Sequence, residues 1–255
     1  MSNLQTNIEN YLKYCEEQKR LDYKTLKAYR IDLSQFCQDI STPNVTDITS
    51  TMLENYISKL HRKYKPKTVK RKIASMKALF HYFEYREIID LNPFNKILIK
   101  FREPTNLPKI IPLNTVEEML STIYIKKAVA KTTYQKRNAL RDAATIELLF
   151  ATGMRISELC SLQVDDVNLE DGTILISGKG SKERRLQIGN IEVLNILKEY
   201  RLDFSKEIAN CGHFFANQSG HPLSDQTVRR IINKYTSLAS ISQHITPHMF
   251  RRTFA

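Results

Sequence analysis

Through the first ninety positions, apolar residues recur at spacings of three and four. Leu4, Ile8, Tyr11, Leu12 and Cys15 form one stripe, and Val69, Ile73, Met76, Leu79, Phe80 and Phe83 a wider one. An α-helix turns once in about 3.6 residues, so each set shares one face. The spacing predicts four helices, over about 3–19, 23–39, 49–64 and 67–86. Faces of that kind are buried by packing against one another, which makes a small helical bundle. All seven glycines lie at or after Gly153, so the first 152 residues lack the residue that most readily takes a positive φ in tight turns. Their absence also excludes a glycine-rich phosphate loop from the first half. Pro93, Pro104, Pro108 and Pro112 fall within twenty residues, and proline discourages helix before it. An interdomain linker is expected at 91–113.

Beyond the linker, Thr115 and Glu118 have the spacing of a capping box and predict a helix running through Met119, Leu120 and Ile123. A longer apolar segment, 139–151, follows a polar run from Lys126 to Arg137. The period then changes. Thr173–Ser177 is β-rich, Gly178 to Ser181 is turn chemistry and Arg185–Ile188 alternates, which together predict a β-hairpin. Further helices are expected at about 191–202 and 225–239, the second capped by Ser224. Thr246 followed by Pro247 reads as a cap and first helical position opening a last helix. The fold class is mainly α with a small antiparallel β-sheet.

Charge narrows the choice of partner. Lys and Arg number 39 against 27 Asp and Glu, a formal charge of +12 that favours a polyanion and makes nucleic acid the first expectation. The excess is concentrated early, with 20 basic against 12 acidic residues up to position 110 and 19 against 15 after it. No segment has the roughly 18 to 20 uncharged apolar residues of a membrane span, and the N-terminus lacks the basic-then-apolar layout of a signal peptide. Cys15, Cys37, Cys160 and Cys211 have no C-x-x-C spacing, which argues against a disulfide framework or a cysteine zinc site. The chain reads as a cytoplasmic protein with reduced thiols.

Three segments carry candidate chemistry. From Lys59 to Lys77 there are nine Lys or Arg and no acid, with Pro66 at the expected start of the fourth helix. Lys67, Lys70 and Arg71 share a face of that helix, and Thr68 lies at its N-terminal end, where free N–H groups and the helix dipole favour phosphate. Taken alone, such a run also fits a solvated helix face. In A-T-G-M-R-I-S-E-L, Gly153 ends an apolar helix so that Arg155 can point from a turn into a cleft, although an Arg paired at i+3 with Glu158 also fits a structural ion pair. Lys179 sits at a glycine-flanked hairpin tip. His248 and Arg251 are three apart on one helix face and can converge on one anionic group. His244 and His248 have metal-ligand spacing, but Pro247 intervenes and no third ligand is identifiable, so no metal site is assigned.

In combination these motifs are far more specific. A-T-G-x-R-x-S-E-L, then a strand with G-K-G-x-K-E-R, then T-P-H-x-x-R-R-T-F-A resembles the tyrosine recombinase (phage-type integrase) family, in particular its Xer-like bacterial members. The resemblance spans nearly the whole chain. It implies an N-terminal helical core-binding, SAM-like domain over 1–90, the linker over 91–113, and a mixed α/β catalytic domain over 114–255 that is incomplete at its C-terminus. It makes Arg155, Lys179, His248 and Arg251 catalytic, with Lys179 rather than Lys182 as the hairpin lysine. Lys67, Thr68, Lys70, Arg71 and Lys182 become contacts to double-stranded DNA. The implied chemistry is site-specific cleavage and rejoining of DNA through a 3′-phosphotyrosyl intermediate, without cofactor or metal, by a protein that when full length is expected to act as a homo-tetramer on paired DNA sites in the bacterial cytosol.

The family's nucleophilic tyrosine follows the H-x-x-R box, whereas none of the twelve tyrosines here follows Tyr235. The expectation is therefore a chain cut short before its nucleophile. The alternative is a cleavage-dead module that occupies recombination sites. A type IB topoisomerase shares the same chemistry, but the small helical N-terminal region speaks against it. Generic RNA binding lacks an RNP-like aromatic motif.

Overall fold

The computed structural model describes residues 3–40, 42–99, 109–177 and 183–254. It divides into two compact units, Met1–Thr105 and Asn106–Ala255. Lys179 and Lys182 lie outside the described residues.

The first unit contains α1 (Leu4–Glu17), α2 (Tyr23–Asp39), α3 (Ser50–Lys63) and α4 (Pro66–Tyr85). Side chains satisfy the free N–H groups that open the first three: Asn3 accepts from Gln5, Asp22 from Lys24 and Thr49 from Met52. Helix α4 opens instead on Pro66, which has no N–H to satisfy. The apolar stripes meet in one core, where Phe36, Phe80 and Phe83 are fully buried. Edge-on ring contacts join Phe36 to Tyr56 and Phe80 to Phe83 and Phe94, with centroids 5.3 to 5.5 Å apart. Phe94 comes from a short 3-10 turn, Pro93–Lys96, so the first part of the proline-rich segment packs into the bundle.

The second unit is a helical array with one small sheet. Its helices are α5 (Leu113–Ala128), α6 (Thr133–Thr152), α7 (Ile156–Ser161), α8 (Ile191–Asp203), α9 (Ser205–Cys211), α10 (Asp225–Leu238) and α11 (Pro247–Phe254). Helix α6 is buried over most of its length and packs against α5, α8 and α11. The strands β1 (Val167–Asn168), β2 (Thr173–Ser177) and β3 (Glu183–Gln187) form an antiparallel sheet in that order, with Ile174 opposite Leu186 and Ile176 opposite Arg184.

Several sequence expectations need correction. The proposed Thr115–Glu118 cap is not one. Helix α5 begins at Leu113, the Pro112 carbonyl accepts its first helical bond from Val116, and Thr115 is buried inside the helix. Proline sets the start three residues earlier because its extended backbone cannot continue a helix backwards. The polar run from Lys126 to Arg137 spans the last turn of α5, a short connection and the first turn of α6, where Thr132 and Gln135 bond reciprocally in a capping box. Arg137 is polar because it forks onto Glu207 at 2.8 and 2.9 Å and lies 4.3 Å over the Phe204 ring. The hairpin is a three-stranded sheet, because β1, at two residues, is too short to show a period, and β3 starts at Glu183 rather than Arg185.

Tyr200 illustrates how this core excludes alternatives. The ring is fully buried, its hydroxyl donates to the Ala216 carbonyl (3.3 Å), and it accepts from the Ala216 N–H (2.8 Å). Tyr200→Phe strands that buried N–H and is expected to cost about 1–3 kcal/mol in denaturant unfolding with the fold retained. An unchanged midpoint would show that the pair contributes nothing.

Candidate functional site

Gly153 ends α6 at φ +58°, the left-handed conformation glycine adopts without cost. The chain turns through Met154 and enters α7 at Arg155, which is extended at φ −74°, ψ 147°. Arg155 is thereby the last residue before a helix, with its side chain half exposed. Glu158, one turn on, is nearly buried and accepts from the Arg155 N–H at 2.8 Å and from the Arg155 guanidinium at 2.7 Å. Arg184 on β3 forks onto the same carboxylate at 3.1 and 2.7 Å. Burial by itself would raise the Glu158 pKa. The bonds from Arg184 and Arg155 outweigh it and hold the carboxyl below its ordinary range.

Helix α11 brings the second half of the site. Met249 and Phe250 are buried, and Phe250 packs on Phe150 of α6 with ring centroids 4.3 Å apart. Thr253 accepts from the Ile111 N–H at 2.9 Å. Met249 and Phe250 set the rotation of the helix, so His248 is exposed while Arg251 turns toward the end of α6, donating to the Gly153 carbonyl at 3.3 Å. The approach is close, since a Cβ on Gly153 would stand 2.8 Å from the Phe254 Cβ.

Arg155, His248 and Arg251 therefore line one cleft of about 130 Å³, together with Ser157, Asp225 and Arg229. Sequence reasoning placed the first three and missed Arg229 and Asp225. Both lie on α10, four residues apart, and only the tertiary fold brings that helix to the α7–α11 junction. Asp225 also faces the Cys160 thiol, which burial, reinforced by that carboxylate, pushes up to about 12, leaving an inert thiol rather than a nucleophile. With Arg184, four guanidiniums stand against the carboxylates of Glu158 and Asp225, so the site keeps a positive excess suited to an anion.

No tyrosine lines the cleft among the described residues. Tyr200 and Tyr235 are core side chains, Tyr235 donating to the buried Asp142, and burial followed by that carboxylate raises its hydroxyl pKa further. Of the DNA-contact candidates, Lys67, Lys70 and Arg71 are exposed on α4 and Thr68 is half-buried. Among the described residues no group of three His, Cys, Asp or Glu side chains is placed to hold a metal ion, and no helix is long and apolar enough to cross a membrane.

The sequence pattern of the Phage integrase family matches residues 117–255, and that of the phage integrase N-terminal SAM-like domain matches residues 8–87. The chain belongs to the phage integrase family, the tyrosine recombinases, and so to a family of site-specific DNA recombination enzymes. Among its relatives is a tyrosine recombinase of Agathobacter rectalis, 68% identical over 255 residues, a match covering 100% of this chain and 83% of that one. The tyrosine recombinase XerC of Thermodesulfovibrio yellowstonii is 31% identical over 268 residues, with the same 100% and 83% coverage. The fold is that of the XerH recombinase solved in a pre-cleavage complex with its difH substrate (TM-score 0.72, 21% identity, 98% of this chain and 72% of that one). It is also that of a lambda integrase dimer on a COC′ core site (TM-score 0.74, 16% identity, 98% and 68%).

Two predictions follow from the geometry. The Glu158 carboxyl is held below its unfolded value of about 4.3, so its contribution is complete above that pH and is lost as pH falls through the lower folded value. Urea unfolding between pH 7 and pH 3 should therefore show an acid limb that is shallower in Glu158→Gln, and an identical limb would refute the sign. Gly153→Ala, strained at positive φ and facing Phe254, is expected to lose about 1 kcal/mol or more. An unchanged melting temperature would show that α11 yields without cost.

Proposed function

We propose that this chain is the phosphate-activating body of a Xer-like site-specific DNA recombinase. The observation that carries the reading is the convergence of Arg155, from the turn after α6, with His248 and Arg251 of α11 on one cleft. In this reading the two permanently charged guanidiniums grip the non-bridging oxygens of a DNA phosphodiester and stabilise the charge that grows on the pentacoordinate phosphorane. A tyrosine hydroxyl attacks phosphorus, the O–P bond to the 5′-oxygen breaks, and a 3′-phosphotyrosyl link and a free 5′-hydroxyl result. His248 assists proton transfer at the tyrosine, and Lys179 protonates the departing 5′-oxygen. Attack by a 5′-hydroxyl of another strand reverses the steps and completes the exchange. This reading assigns the attacking tyrosine to none of the described residues lining the cleft.

Duplex DNA is the partner. Lys67, Thr68, Lys70 and Arg71 of α4, with Lys182, contact it, and assembly of several copies on paired sites in the bacterial cytosol goes with the reading. Supporting it, a lambda integrase of the same fold is solved as a tetramer on a Holliday junction (TM-score 0.74, 18% identity). One alternative, a cleavage-dead binder of recombination sites, fits the lack of a tyrosine at the cleft among the described residues.

One experiment separates the two. The gene's full product, incubated with nicked duplex carrying its binding site, is expected to form an SDS-resistant covalent adduct. Arg155→Ala and Arg251→Ala should each lower adduct formation about a hundredfold or more while DNA affinity stays within a few-fold. Salt-sensitive binding with no adduct would establish the binder instead. Undiminished adduct in either variant would overturn the assignment of the arginines.

A further inference from the structure

The exposed face of α4 comprises Lys67, Lys70, Arg71, Ala74, Lys77 and His81, a stripe at helical spacing without an acid and with a small residue at its middle. Arg71 differs from its neighbours in how it is held. Its guanidinium donates through one nitrogen to Asp32 of α2, whose carboxylate is fully buried, while the Arg71 side chain as a whole remains 46% exposed. The same carboxylate accepts from the buried Lys72 ammonium at 3.1 Å and from the Ser75 hydroxyl at 3.1 Å, and Gln35 accepts from Lys72 as well.

The charges do not balance. Lys72, itself 4% exposed, already neutralises Asp32, so Arg71 is anchored by the carboxylate without being cancelled by it. A lysine on a flexible stem follows a phosphate wherever the backbone lies. A guanidinium fixed at one end has surrendered that freedom and presents its remaining donors in one plane at one place. Such a fork matches the O6 and N7 acceptors of guanine, which lie side by side in the major groove. Ala74, one turn on, leaves room for the helix to approach the base edges.

We propose that Arg71 reads a guanine in the DNA site and that Asp32 is its positioning residue, the neighbouring lysines supplying affinity without sequence. This rests on the reading of the chain as a DNA-binding recombinase.

The test is selection of duplexes from a random pool by the wild-type 255-residue protein, Arg71→Lys, Asp32→Asn and Lys67→Ala, with melting curves for each. The wild type is expected to enrich a consensus with one guanine that Arg71→Lys, which keeps the charge and loses the fork, no longer enriches, a loss of about tenfold or more in preference at that position. Asp32→Asn should relax the same position. If it fails to fold, Arg71→Lys decides alone. Lys67→Ala should keep the whole consensus while weakening binding and lowering the salt slope by about one. An unchanged consensus in Arg71→Lys overturns the proposal and leaves the DNA-binding reading standing. Binding by the wild type with no consensus overturns it likewise, whereas no binding to any duplex removes both.

Discussion

The Glu158 carboxylate takes four hydrogen bonds, one from the Arg155 backbone, one from its guanidinium and two from Arg184. That is about the full capacity of two carboxylate oxygens, which is what a charge withdrawn from water needs if it is not to be prohibitively costly. The dependence runs both ways. The arginines make the buried carboxylate tolerable, and the carboxylate lets two guanidiniums lie close together without repelling each other apart. It also fixes β3 to the start of α7, so a sheet strand and a helix cap move as one piece. Everything else at the cleft is arranged against that corner: α6 ends there at Gly153, and α11 packs against the same end of α6.

The helical unit solves a similar problem with different weights. Asp32 is as buried as Glu158, but one of its cations is buried with it and the other reaches solvent, so the pair of α2 and α4 is locked by an internal charge pair while a cation remains at the surface. Buried ion pairs of this kind add little net stability over an apolar core, since desolvation offsets most of the attraction. What they confer is a single register, because sliding α4 by one residue would strand Asp32 and Lys72 unpaired. An apolar contact would tolerate such a slip far more easily.

The sequence made the four-helix bundle legible because its helices are amphipathic and the fourth begins at a strong signal, Pro66. The second unit was harder for the opposite reason. Helix α6 is buried on most sides and shows no clean stripe, and its polar first turn looks like a loop until Arg137 is seen forking onto Glu207. Two residues of β1 cannot display an alternation. At the site, the A-T-G-x-R-x-S-E-L and H-x-x-R motifs pointed to Arg155, His248 and Arg251, because each of those segments is continuous in sequence. Arg229 was invisible: on its own helix it is one more basic residue beside Arg230, and only the packing of α10 brings it to the cleft.

Read from sequence, Arg155 had two competing explanations, an ion pair with Glu158 or a cation aimed into a cleft, and the structure shows that they are the same arrangement. A guanidinium carries five N–H donors, and the bond to Glu158 occupies one of them. The half-exposed side chain also lines the cleft, together with Arg251. A group meant to stabilise charge in a transition state is most effective when its orientation is settled before substrate arrives, because no reorganisation is then required as the charge develops. The Glu158 bond settles it. A solvated arginine on a flexible loop would offer the same charge to an anion but not the same fixed direction. In the proposed reading, the ion pair is therefore what fixes Arg155 in the direction its role requires.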